Sequence, residues 1–211
     1  MKKKLLSLAT AGLMTVVFLT GCSDAFNSDS ISKTAKKFGM TEAHSYSEYM
    51  DVTRPDTADS SSAYYVFNSA AEADEWYRAS YTIGIGPYPE IHLTNCVICM
   101  ENRTGDNGGY NAMNEIYMFT AIDEKSADEL YEAISGTISA YDLNSAGEKN
   151  GYVYTISYIG TEKRCMAMGV YQKGNTVIYI NKTGDLVKEN NCCDFFCKEL
   201  GLVSPTTLKT E

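Results

Sequence analysis

Cys96 and Cys99, with Val97 and Ile98 between them, have the C-x-x-C spacing of redox and metal sites, and Cys192, Cys193 and Cys197 cluster near the carboxy terminus. A redox C-x-x-C sits at a helix start, where the helix dipole lowers the thiol pKa. Here the flanks, Ile91-His92-Leu93-Thr94 and Met100, read as strand. Residues three apart on a strand point to opposite faces, so Cys96 and Cys99 are expected to diverge. Cys193, Phe196, Cys197 and Leu200 fall at i, i+3, i+4 and i+7, the stripe of a packed helix face, on which thiols act as small hydrophobes. Ser30-Ile31-Ser32-Lys33 and Lys182-Thr183-Gly184 match the S-x-x-K and K-T-G elements of penicillin-interacting enzymes, but no S-D-N element stands between them. The first falls in a segment read as a tether and the second at the end of a strand. His44 and His92 are the two histidines, neither in a triad, H-E-x-x-H or P-loop pattern. Gly84-Ile85-Gly86-Pro87 reads as a turn, and Asp106-Asn107-Gly108 lacks the closing Glu of a calcium loop. No catalytic, metal or cofactor assignment follows.

The elements that must position these groups read as an α+β domain. Ser32 to Met40 and Ser45 to Asp51 are predicted as short helices, the second opened by the capping-box pattern Ser45-Tyr46-Ser47-Glu48. Tyr65-Val66-Phe67 leads into Ala73-Asp74-Glu75-Trp76-Tyr77, and Tyr117-Met118-Phe119 into Ala127-Asp128-Glu129-Leu130-Tyr131. Each is a short apolar strand followed by a helix with apolar residues at i, i+3 and i+4, and Ile134 and Ile138 extend the second stripe. A strand follows each helix, His92 to Met100 and Tyr152 to Ile159. The order β-α-β therefore occurs twice, as in a ferredoxin-like fold. Turn signals at 160–163 and 173–175 frame Arg164 to Tyr171 and Thr176 to Ile180, an antiparallel β meander that widens the sheet. A final helix from Asn190 ends at Gly201, a left-handed stop.

Tyr152, Tyr154 and Tyr158 alternate on one face of their strand. With helices on one side of the sheet, that face would be an open aromatic platform for a glycan, a peptide or a partner domain; with the last helix over it, it would be core. Both readings stand at the level of sequence. Sixteen tyrosines in the chain leave rings enough for core and surface alike.

Residues 1–21 have the cationic start, apolar core and small-residue end of an export signal. The core, about fifteen residues, is short of the roughly 20 needed to span a bilayer. At its end, Leu19-Thr20-Gly21-Cys22 resembles the lipobox of bacterial lipoproteins, with all four positions filled. The resemblance implies diacylglyceryl attachment at Cys22, cleavage before it and acylation of the new amino terminus; two or three chains hold lastingly where one is marginal. Asp194-Phe195-Phe196-Cys197-Lys198-Glu199-Leu200-Gly201 is similar to the ends of small lipoproteins from Gram-positive gut bacteria, which brings no activity with it. Losing residues 1–21, with three lysines and no acid, takes the formal charge from −9 to about −12. So acidic a surface repels phosphates, and nucleic acid is not expected as a partner.

The expected organisation is a signal peptide over 1–21, a flexible tether over 22–31, one α+β domain over 32–204 and a tail over 205–211. In an exported protein the six cysteines beyond Cys22 permit disulfides in fifteen pairings. A bridge from Cys165 to the last helix, at Cys193, is the favoured candidate if one forms, against inert core thiols. Two functions stay open. One is a non-catalytic binding or assembly module of the cell envelope, lipid-anchored on the extracytoplasmic face of a bacterial cell membrane, without a cofactor, and meeting an envelope protein, glycan or peptide. The other is a thiol-dependent or disulfide-bearing envelope enzyme using Cys96/Cys99 or the Cys192–Cys197 cluster.

Overall fold

Apolar residues run consecutively through the central strands, as in Cys96-Val97-Ile98-Cys99, each at most 1% exposed. A strand needs such a run only when both faces of its sheet are covered. The computed structural model describes residues 26–53, 60–80, 89–104, 110–141, 143–160, 164–185 and 191–208. In chain order these form α1 (Ser28–Phe38), β1 (Thr41–Glu42), α2 (Tyr46–Val52), β2 (Ser61–Val66), α3 (Ala70–Ala79), β3 (Leu93–Thr104) and β4 (Tyr110–Ala121). There follow α4 (Glu124–Ile138), β5 (Leu143–Lys149), β6 (Tyr152–Gly160), β7 (Arg164–Lys173), β8 (Thr176–Asp185) and α5 (Cys192–Leu200), then a 3-10 turn over Pro205–Leu208. The fold is α+β, built on one sheet of order β1-β2-β3-β4-β8-β7-β6-β5. Only β1 and β2 pair in parallel; the other neighbours are antiparallel.

Side chains alternate between two cores. One face of the sheet, carrying Tyr65, Ile98, Tyr117 and Tyr179, packs beneath α2, α3 and α4, which contribute Tyr49, Trp76, Leu130 and Ile134. The other, carrying Tyr64, Val97, Ile116 and Ile178, packs against α1 and α5 through Ile31, Cys193 and Phe196. Burying each such side chain stabilises the fold by about 1.5–3 kcal/mol. Gly169 keeps the second core flat, because a Cβ there would run into the ring of Tyr171.

Both strand-helix pairs of the sequence repeat are present: β2 enters α3, β4 enters α4, and the two helices lie on the same face. The connections that follow depart from the expected twofold βαβ arrangement. β2 and β3 are adjacent and antiparallel, with Val66 opposite Val97. The chain therefore returns from α3 to the end of the sheet it left, where a split βαβ unit would cross to the other end. After α4 it passes β8, β7 and β6 to start β5 at the far edge, then comes back as the meander β5-β6-β7-β8. Strand β5 was not expected. Its residues, Leu-Asn-Ser-Ala-Gly-Glu-Lys, are nearly all exposed on this edge, so they carry no apolar alternation. It turns into β6 through Asn150 and Gly151, both at positive φ (52° and 76°), the two-residue hairpin that Asn-Gly favours.

The limits of the folded body also differ from expectation. Helix α1 begins at Ser28, inside the stretch read as a tether, because Asn27 caps it by accepting from Ser30 N–H (2.9 Å) and Ile31 is fully buried. The Ser30-Ile31-Ser32-Lys33 match is thus the first turns of a packed helix. At the other end the strap after Gly201 is part of the body. Asp194 on α5 accepts from Lys182 Nζ (3.1 Å) through Oδ2, and from Ser204 and Thr206 hydroxyls (both 3.0 Å) through Oδ1.

Burial pushes the Asp194 carboxyl up, but donors from Asn191, Lys182 and Thr206 outweigh it and hold the group below the usual carboxylate value. The ammonium it serves is almost sealed, Lys182 being 5% exposed. Asp194→Ala is expected to cost about 2–3 kcal/mol in urea denaturation, under the cost of breaking a fully buried pair because Asp194 is itself partly exposed. The native state favours ionised Asp194. The wild-type advantage should therefore be whole above the ordinary carboxylate pKa and fade as pH falls through the lowered native one.

Candidate functional site

Ser45 and Ser69 start α2 and α3 in the same way. Each hydroxyl accepts from the N–H three residues on, Glu48 at 3.1 Å and Glu72 at 3.2 Å. Each glutamate accepts in turn from the N–H before the cap, His44 at 2.7 Å and Asn68 at 3.0 Å, one residue earlier than in the usual capping box. The other oxygen of Glu72 takes the Tyr65 hydroxyl, and Asn68 Nδ2 donates to that hydroxyl (3.0 Å). Burial first, and the Glu72 carboxylate second, push the Tyr65 phenol up to about 12, so it stays a donor.

With α2 packed on β2 and α3 on the neighbouring β3, a cleft of about 650 Å³ opens, lined by Tyr46, Phe67, Glu72, Glu75, Trp76, Ala79 and Ser80. Its size is that of small-ligand sites. Its wall is aromatic: Phe67 lies 5.2 Å from Trp76 and 6.2 Å from Tyr46 between ring centroids. The array continues inward from Trp76 to Tyr117 (5.9 Å), which stacks on Tyr179 at 6.2 Å and 4°. Trp76 is the one tryptophan of the chain, 8% exposed, and its indole N–H has no partner among the described residues. Tyr46, 36% exposed, forms the lip, with exposed Met50 one turn along α2. The cleft holds two carboxylates, and no basic side chain lines it among the described residues. Nearby Arg78 is drawn instead to Asp74 (3.8 Å) and to His92 (3.3 Å).

The residues singled out from sequence lie elsewhere. The Tyr-rich face of β6 is covered. Tyr152 and Tyr158 are each 4% exposed and Tyr154 is half-buried. The Tyr152 hydroxyl donates to Gly201 O (3.1 Å) and accepts from Val203 N–H (3.0 Å), so the strap after α5 closes the platform, with Phe26 against the Tyr152 ring at 5.6 Å. Cys22 lies outside the described residues, as do 84–87 and 106–108. Cys96 and Cys99 diverge as expected, one into each core. The candidate bridge between Cys165 and Cys193 is absent. Cys165 packs with Tyr158 and Ala167 near the sheet edge, while Cys193 packs in the second core with its thiol 3.4 Å from Asn181 O. All six described cysteines are buried, and none forms a disulfide. Burial pushes the thiols of Cys96, Cys99, Cys192 and Cys197 up, which removes the thiolate that redox or nucleophilic work needs.

The reading from sequence missed the cleft. Its signal in the sequence is the sole tryptophan, Trp76, on an apolar helix stripe with Glu72 and Glu75 close by. No family model matches the chain, and no curated protein does. Among solved structures, the extracellular domain of PknH from Mycobacterium tuberculosis is similar at 12% identity and a TM-score of 0.41, over 74% of this chain and 90% of that one.

Thiol reactivity tests the burial directly. In a Cys22→Ser chain an aromatic disulfide reagent should release no thiolate in native buffer and six equivalents in guanidinium; fast native reaction of any cysteine would contradict the packing.

Proposed function

We propose that the chain is a lipid-anchored lipoprotein on the extracytoplasmic face of a bacterial cell membrane, acting as a non-catalytic binding or assembly module of the cell envelope. Anchoring rests on Leu19-Thr20-Gly21-Cys22 and the export signal before it. The observation that carries the binding role is the cleft between α2 and α3, an aromatic wall with a partly exposed lip on an otherwise well-covered sheet. Against the thiol-enzyme reading stands the sealing of Cys96, Cys99 and the Cys192–Cys197 cluster.

The placement of the anchor suits this role. Three residues lie between Cys22 and Phe26, so the four Cα steps reach at most about 14 Å. Phe26 belongs to the core beneath α1 and α5, and the cleft to the opposite face of the sheet. A body held by its α1 side keeps the α2–α3 side turned toward an envelope protein, glycan or peptide.

Labelled palmitate should mark the wild-type chain in cells and leave Cys22→Ser unlabelled and out of the membrane fraction. In the same cells a photoreactive benzoylphenylalanine at position 46 should give a discrete adduct, and one at Leu143, equally exposed at 38% on the far sheet edge, should not. An unlabelled wild type would end the anchoring reading, and a clean lane from position 46 the binding one.

A further inference from the structure

We infer that the cleft receives a basic peptide segment, with an arginine or lysine side chain laid against Trp76 and Phe67 and its charge held by Glu72 and Glu75. The inference rests on the cleft being a binding site, and names what it binds. Charge decides against the alternatives. Glu72 is held in place by Tyr65 and Asn68, neither of them cationic. Glu75 is exposed and has no ion-pair partner among the described residues. An anionic ligand would meet two carboxylates, electron-rich ring faces and a chain of net charge −9, with no compensating base in the lining among the described residues. A cation meets attraction from all three, and tryptophan is the strongest of the aromatic partners for one.

A basic side chain of a peptide fits better than a bare amine. A single ammonium leaves most of a 650 Å³ cleft unfilled, whereas the long stem of Arg or Lys covers apolar surface with its charge at the end. A neutral sugar could stack on the rings and donate hydroxyls to the carboxylates, yet it brings no charge to offset theirs.

Trp76 reports its own site, because its emission is the only tryptophan signal of the chain. The purified full chain is titrated with four probes: a blocked glycine-arginine-glycine tripeptide, its glutamate counterpart, butylguanidinium and chitotetraose. The arginine tripeptide should change the emission saturably, and bind at least fivefold more weakly at 0.5 M salt and in Glu75→Gln. Glu75→Lys, also at an exposed position, should abolish binding while leaving the circular dichroism spectrum unchanged. Equal binding of the glutamate tripeptide or chitotetraose, or indifference to both Glu75 variants, would overturn the cationic assignment. Butylguanidinium binding as tightly as the tripeptide would overturn the peptide. Silence from all four probes with the position-46 adduct still formed would reject this inference and leave the binding module standing; loss of the adduct as well would reject both.

Discussion

The two halves of the sheet are joined by one ladder, β4 against β8, and the rest of the molecule is arranged around that join. β2, β3 and β4 form one antiparallel set and β5 to β8 another. Between them run nine cross-strand pairs, from Ala112 opposite Gly184 to Thr120 opposite Thr176. On one face Tyr117 stacks on Tyr179, a contact worth about 0.5–1.5 kcal/mol beyond its buried area. On the other Ile116 and Ile180 meet beneath α5. Glu115 spans the same join. Its carboxylate accepts from Asn181 across the ladder (2.9 Å) and from Tyr117 along the strand (2.7 Å), and burial pushes it up from the usual carboxylate value. Helices on either side cover the join, so both cores straddle it.

Much of this was legible locally. The stripes Ala73-Trp76-Tyr77 and Ala127-Leu130-Ile134 are helix faces, Gly201 stops α5 in the left-handed region (φ 68°), and Cys96 and Cys99 diverge because a strand alternates. The rest was not, for definite reasons. β5 has almost nothing buried and so no apolar pattern; only Asn150-Gly151 marked its hairpin. Whether β3 runs parallel or antiparallel to β2 depends on where the chain turns after α3, a tertiary matter that no residue in either strand records. Coverage of Tyr152 depends on Val203 and Gly201, some fifty residues away, reaching back to one hydroxyl. The cleft arises from the relative seating of two helices whose key rings, Tyr46 and Trp76, stand thirty residues apart. Each helix could be read alone, but not the space between them.

Aromatic side chains serve both purposes here. The line Tyr46, Phe67, Trp76, Tyr117, Tyr179 runs from an exposed lip to the centre of the sheet without a break. Its inner members are pinned by the β4–β8 join, and through ring contacts they hold the outer ones in place. Such a wall is preorganised, the condition under which the proposed association would carry little ordering cost.

The join has a temporal side as well. β4 is complete by residue 121, while its partner occupies residues 176–185 and the helix and strap that roof the second core come later still. During vectorial delivery, whether from a ribosome or through a translocation pore, the nascent three-stranded half presents Ile116 to Phe119 along an unpaired margin until the last thirty or so residues arrive. Such margins invite pairing with other chains. Until β8 arrives, this margin is therefore open to a neighbouring chain's edge as much as to its own partner.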